Sequence, residues 1–516
     1  MNLEHYDVVI IGSGAGGGTM ARALADTGAR ILVLERGDVV PREAENWDPA
    51  SVWKHLRYRA HEQWLDADGR AFRPYTHYGV GGNTKFWGCV LYRLRREDFR
   101  AVEHIDGVSP AWPIDYDTLA PYYERAEAMY HVHGAAGVDP TEPPRGPFPH
   151  PPVPHAPGMA DIVERIRAQG LHPSPLPLGL IRPGESGGCR LCGTCNSFPC
   201  QIGAKADSEA CGIQDAVARE NVTLQTGARV TRVLTDPGGR RVESVEIEHD
   251  GQTRQVGATL VVLSAGAVNS AALLLRSSTE RHPRGLANSS DLVGRNYMAH
   301  LSTMLEGFRP AFRTNADEFQ KTVAINDFYL RGPRGYPLGQ IQAQGRTHAV
   351  MAKVVGDSWT YRHVHLWRWI PRWAYAEWVA RATDWLAMTE DLPTPDNRVR
   401  LLPDGRIAVE YRPNNLTAHA ELVEAWRRVL SGLGYWSPKV FAHYSGVRNT
   451  THQCGTLCFG SDPASSVLDP FCRTHDVGNL FVVDASFFPS SAAVNPGLTI
   501  IAQALRVADH IKAHDL

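Results

Sequence analysis

An α/β fold built on a dinucleotide-binding βαβ unit is what this sequence predicts, and three observations carry it. YDVVII (6–11) is a short, continuous, β-branched run of the kind that forms a fully buried parallel strand. GSGAGGGTM follows directly and leads into ARALADTG, which reads as a helix closing on Gly28. RILVLERG then supplies a second strand, so strand, helix and strand fit into about thirty residues.

Inside the turn, Gly12, Gly14 and Gly17 match G-x-G-x-x-G. The first glycine permits the tight turn, the second lets a pyrophosphate approach the backbone at the positive helix end, and the third allows close helix–strand packing. Glu35 ends the second strand, 23 residues after Gly12, where a carboxylate can hydrogen-bond a ribose diol. FAD and NAD both satisfy these features.

Strand-like segments return only at 222–235, 241–248, 259–264 and 479–484, and a last helix covers 497–513. This order predicts a nucleotide-binding domain assembled from distant segments, with a second domain inserted between them. At 516 residues the chain exceeds what one hydrophobic core usually serves. The proline-rich stretch 135–159 reads as an extended crossing loop. Six of the thirteen tryptophans fall in 357–385, either as an aromatic core or subunit contact or as a substrate lid.

A net charge of −2 gives no electrostatic case for nucleic acid or an anionic membrane. No run of 18 apolar residues predicts a membrane span, and the first residues carry no export signal, so a cytoplasmic location is expected. Reduced thiols in that compartment bear on CRLCGTCNSFPC (189–200), which holds four of the nine cysteines. Cys189, Cys192, Cys195 and Cys200 give C-x2-C-x2-C-x4-C, close to a ferredoxin-type ligand run with one extra residue. An iron–sulfur cluster, a four-thiolate zinc and plain thiols or a local disulfide bracing a loop are the three readings.

Three later blocks narrow the choice of cofactor: VGGNTKFWGCVLYRLRREDF (80–99); LSAGAVNSAALLLRSS (263–278) with LVGRNYMAH (292–300); and THQCGTLCFG (451–460) with NLFVVDASFFPSSAAVNPGLTIIAQALRVADHI (479–511). Together with EDLPTPDNRVRL (390–401) they resemble the glucose–methanol–choline (GMC) family of FAD-dependent oxidoreductases along the whole chain. The resemblance implies a discontinuous Rossmann-type FAD-binding domain (1–105, 203–300 and 446–516). It also implies an α+β substrate-binding domain with an antiparallel sheet (106–202 and 301–445).

In that family the histidine of H-x-x-G-T faces flavin N5 with a His or Asn partner, which falls here on His452 and Asn495. A neutral histidine can take a hydroxyl proton while the carbinol hydride passes to the flavin. The resemblance also brings Gly81, Gly82, Asn83, Thr84, Val230, Asp484 and Ala485 to the FAD. Pyranose oxidases of the family attach FAD to a histidine in G-G-x-x-x-H-W; Phe86 stands there in this chain, so FAD is expected to be non-covalent. Trp87 and Cys89 lean the resemblance towards the sugar and glycoside 3-oxidase branch. The expected activity is oxidation of a secondary hydroxyl of a sugar or glycoside to a keto sugar, with O2 or another electron acceptor. The alternatives are an FAD/iron–sulfur sugar dehydrogenase feeding a cytochrome partner and a non-redox hydroxynitrile lyase-type flavoprotein. A homo-oligomer is left open.

Overall fold

The computed structural model describes residues 3–312, 319–345, 371–443, 446–448 and 451–516. Its first sheet has seven strands and is drawn from widely separated segments. His5–Ile11 sits at its centre, parallel to Ile31–Leu34 on one side and to the second half of Gln252–Leu263 on the other. Val8 is in register with both Ile31 and Leu260. Val222–Gln225 and Leu480–Val482 add further parallel pairings. The β-branched runs read as buried strands are buried: Val8 to Ile11 and Ile31 to Leu34 are all nearly inaccessible. Each such side chain contributes roughly 1.5–3 kcal/mol by leaving water. The first half of Gln252–Leu263 turns antiparallel with Val242–His249, which carries Arg229–Thr235 at its outer edge. Helices Ala15–Leu24, Gly497–His514 and Tyr116–Met129 pack successively against one another.

A second, six-stranded sheet is antiparallel throughout, in the order Trp436–His443, Leu301–Phe308, Ala382–Thr389, Gln340–Ala343, Val323–Ile325 and Pro173–Pro175. Strand alternation gives it two unlike faces. Leu305, Ile341 and Trp385 point into a core shared with Leu422 and Trp426 of helix Leu416–Gly432 and with Ile162 and Ile166 of helix Pro157–Arg167. Ser302, Met304 and Leu386 lie on the other face and line a cavity between the two sheets.

The proline-rich stretch runs without regular structure as far as Ala156, where Pro157 opens a helix as its fixed φ allows. Of the tryptophan-rich stretch, 357–370 lies outside the described residues. Its remainder forms helix Arg372–Val379 and the start of strand Ala382–Thr389. Trp385 is core, edge-on to Trp426 at 4.8 Å, whereas Trp373 is 71% exposed. Among the described residues no helix is long and apolar enough to cross a membrane.

Candidate active site

The cavity, about 440 Å³, starts at the C-terminal ends of His5–Ile11 and Ile31–Leu34 and reaches the front of the six-stranded sheet. Such strand ends are where an open α/β sheet accepts ligands. At this end the glycines have distinct tasks. Gly12 has φ +96°, and a Cβ there would lie 2.4 Å from the Ser264 carbonyl oxygen, so only glycine fits. A Cβ on Gly17 would meet the Gly12 carbonyl at 1.9 Å, which is the close helix–strand approach. A Cβ on Gly14 would meet no protein atom within 4 Å, because that position faces the open cavity.

Glu35 also lines the cavity, but its carboxylate has protein donors on both oxygens: Ser13 N and Oγ at 3.1 and 2.5 Å, and Gly37 N at 3.0 Å. Burial raises its pKa and these donors pull it back. Ser13 Oγ in turn accepts from Gly81 N at 3.0 Å, tying the first turn to the second glycine turn. Asp484 works the same way. Oδ2 accepts from Gly266 N (2.9 Å) and Ser270 Oγ (2.5 Å), Oδ1 from Ser486 N (2.9 Å) and Oγ (2.5 Å). It brackets two chain segments beside the cavity.

At the far end, the H-x-x-G-T residues explain themselves. Gly455 has φ +89°, and any Cβ would sit 2.3 Å from the Asn296 carbonyl. Thr456 Oγ1 donates to the Ala267 carbonyl at 2.6 Å. The loop is thereby pinned and His452 is presented to the cavity. Asn495 precedes helix Gly497–His514, and its Nδ2 stands 3.5 Å from His452 Nε2. Gln342 Nε2 donates to Asn495 Oδ1 at 3.2 Å, which leaves the Nδ2 hydrogens for the cavity side. Gln342 belongs to a longer line: its Nε2 also donates to Gln340 (3.0 Å), Gln340 Nε2 to Asn326 (2.8 Å), and Asn326 Nδ2 to Asp139 (2.6 Å). His300 Nδ1 lies 2.9 Å from His452 Nδ1, and His300 Nε2 2.9 Å from the Ser491 carbonyl. Burial holds His452 well below the usual imidazole range, helped by His300 and by the Lys321 ammonium. Lys321 lines the same wall with Gln344 and Asn196; Gln344 Oε1 accepts from Lys321 Nζ (2.9 Å) and Asn196 Nδ2 (2.7 Å). Burial pulls the Lys321 pKa down to about 8.

The four clustered cysteines do not come together as a metal-holding group. Among the described residues no group of three or more His, Cys, Asp or Glu side chains could hold a metal ion. Cys189, Cys192, Cys195 and Cys200 are all free thiols, which agrees with the plain-thiol reading and lends no support to the cluster, zinc or disulfide alternatives. Spacing along a chain brings cysteines near one another without making their Sγ atoms converge. The cation that organises this loop is Lys205, 1% exposed. Its Nζ lies within 3.1 Å of the carbonyls of Lys85, Trp87, Cys195 and Phe198. Cys195 instead pairs with Cys89. The bond from Cys89, with the Lys205 and Lys321 ammoniums nearby, holds Cys195 below the usual thiol range, and burial holds Cys89 above it. The loop reaches the cavity through Asn196 and Ser197.

Of the site residues read from the sequence, Gly12, Gly14, Glu35, Gly82, Asn83, Thr84, Val230, His452, Asp484, Ala485 and Asn495 line this one cavity. Gly17 and Gly81 stand behind it as packing positions. Phe86 lines it too, stacked on His77 at 3.7 Å. His300, Lys321, Gln342, Gln344 and Asn196 were not legible. His300 and Asn196 sit in stretches quoted for other residues, and Lys321, Gln342 and Gln344 carry no local motif.

Family models described as GMC oxidoreductase match residues 163–302 and 393–504, and one described as an NAD(P)-binding Rossmann-like domain matches 10–61. The chain is 31% identical to paromamine 6'-oxidase of Streptomyces fradiae over 98% of its length and 90% of that protein. It is 32% identical to 6'''-hydroxyparomomycin C oxidase of Streptomyces lividus (99% and 92% covered). It is 28% identical to the fructose dehydrogenase large subunit of Gluconobacter japonicus (98% and 97%). Pyridoxine 4-oxidase of Mesorbium loti shares the fold, with a TM-score of 0.68 at 20% identity over 98% of this chain and 99% of that one. With both family models and two relatives above 30% identity along nearly its full length, the chain belongs to the GMC oxidoreductases.

Proposed function

We propose that this enzyme oxidises a hydroxyl of a sugar or glycoside with non-covalent FAD, a secondary ring hydroxyl giving a keto sugar being the first candidate. The observation that carries the reading is an imidazole facing an amide donor at 3.5 Å, at the end of a cavity that begins in a dinucleotide turn. The residues suit FAD. Gly14 leaves an open place beside a helix N-terminus, and three buried polar atoms along the cavity, Trp53 Nε1, Trp87 Nε1 and Ser264 Oγ, have no hydrogen-bond partner among the described residues. Gly12 to Gly16, Glu35, Val230, Gly82 to Thr84 and Asp484 with Ala485 would hold it, and Phe86 offers no nitrogen for a covalent bond. The segments of the seven-stranded sheet then form the FAD-binding domain, and the front of the six-stranded sheet forms the substrate side.

When bound, FAD supplies the two-electron acceptor. The chain supplies the proton chemistry: His452 Nε2 takes the hydroxyl proton and Asn495 Nδ2 donates to the same oxygen, stabilising its developing charge. The names of the relatives place aminoglycosides beside sugars in the substrate panel.

Anaerobic mixing of the flavin-loaded enzyme with sugars, glycosides and aminoglycosides tests this. Flavin absorbance is expected to bleach with members of the panel, and an intact spectrum across all of them would overturn the reading. A second outcome concerns the cradle. Gly14→Ala adds a methyl that touches no protein atom, at an ordinary φ of −66°. It should fold normally by circular dichroism yet lose most of its FAD, read as the flavin-to-protein ratio after desalting.

A further inference from the structure

We propose that His300 is a positioning residue that fixes the tautomer of His452 and shares the proton His452 removes from the substrate. The donor and acceptor assignments follow from one carbonyl. Ser491 O can only accept, so His300 Nε2, 2.9 Å away, carries a hydrogen. A neutral imidazole has one N–H, so His300 Nδ1 is an acceptor. His452 Nδ1 at 2.9 Å therefore donates to it, and the lone pair of His452 is left on Nε2, the nitrogen beside Asn495. Without His300 the two tautomers of His452 would compete, and one of them cannot act as a base. The rings stand edge-on, 4.9 Å between centroids at 78°.

The same bond gives the abstracted proton somewhere to go. The substrate O–H bond breaks and its proton joins His452 Nε2. The His452 Nδ1 proton can then pass to His300 Nδ1, leaving His300 with two N–H bonds, one still on Ser491 O. Bound FAD would accept the carbinol hydrogen as hydride, so charge and atoms would balance. The charged groups around the pair favour this direction. Lys321 faces His452 and disfavours a cation there, whereas Glu390 acts on His300 and favours one. Glu390 lies 3.1 Å from His104, itself bonded to Ser109. Burial keeps both imidazoles neutral at rest.

The inference rests on His452 as the base, but its first test needs no substrate. In 15N-histidine-labelled, flavin-loaded enzyme, the signals lost in His452→Ala should be those of a ring protonated at Nδ1 and bare at Nε2; a ring protonated at Nε2 overturns the proposal. Failure of the sugar reading would leave that spectrum unchanged. The second test is the pH profile of anaerobic flavin reduction. His300→Leu removes the acceptor and should slow reduction about 100-fold, with the acid limb moved to lower pH because the lone imidazole binds a proton less tightly. His300→Asn, whose carbonyl can still accept from Nδ1–H, should recover at least tenfold of that loss while keeping the shifted limb. Wild-type rates and limb in both variants would overturn the role, as would equal rates for Leu and Asn with intact FAD content.

Discussion

His452→Ala will lose roughly three orders of magnitude in the rate of flavin reduction by substrate, within the ~10²–10⁴ that a positioned general base contributes. Stopped-flow bleaching under anaerobic conditions reads it directly. FAD content should not change, because the dinucleotide turn is held by Ser13, Glu35 and Gly81, none of which depends on the His452 side chain. The split between the two readouts matters, since a variant that also sheds FAD would show His452 to be part of the binding site. Bleaching at the wild-type rate would sink the base assignment and, with it, the reading of Asn495 as its partner. The loss should persist across neutral pH, because burial keeps the wild-type imidazole deprotonated throughout that range.

Lys205→Met will lower stability by about 3 kcal/mol or more while leaving the shape of the side chain nearly intact. Four backbone carbonyls converge on the ammonium, and methionine offers them no hydrogen. A buried acceptor left without a donor costs about 1–3 kcal/mol. The drop should appear as a lower urea midpoint with an unchanged slope. Removing Cys192, which is half-buried and accepts from Thr194 Oγ1, should do far less. A Lys205→Met protein with the wild-type midpoint would show that the loop 189–200 is held by its own packing rather than by this cation.

The contrast between those two residues explains what the sequence made legible. The βαβ unit was readable because its constraints are local: the carbonyls that crowd Gly12 and Gly17 follow from a turn made by neighbouring residues. His452 and Asn495 were readable only through likeness to a family, since nothing in their own neighbourhoods shows that they meet. His300 and Gln342 were invisible because long-range strand pairing and loop packing deliver them, across sequence separations of 152 and 153 residues. Glu35 lines the cavity, but the Ser13 contacts that occupy it belong to the turn's own side chain, which a glycine pattern ignores. The cysteine run stayed ambiguous for the reverse reason, since spacing alone could not choose between ligands and thiols that brace a loop. Four thiols in twelve residues looked like a ligand set, whereas the cation that matters stands five residues after Cys200 in an unremarkable Gly-Ala-Lys.

The line of amides behind Asn495 has a direction, and Asp139 sets it. A carboxylate receives hydrogens, and Asp139 Oδ2 accepts from both Arg95 Nη2 (2.5 Å) and Asn326 Nδ2 (2.6 Å). Asn326 must therefore turn its NH2 towards Asp139 and its oxygen towards Gln340, Gln340 follows the same heading, and Gln342 gives its NH2 to both Gln340 and Asn495, so that Asn495 turns its oxygen back towards the row. Turning Asn326 or Gln340 alone would set donor against donor at one neighbour and acceptor against acceptor at the other, and turning Gln342 alone would aim its oxygen at two acceptors. The row therefore behaves as a single two-state object rather than as separate side chains. Asp139→Asn would make both headings nearly equal in energy, and Asn495 would then offer its oxygen to the substrate in part of the population. Positions 139, 326, 340, 342 and 495 can vary only as a group, although just one of them lines the cavity.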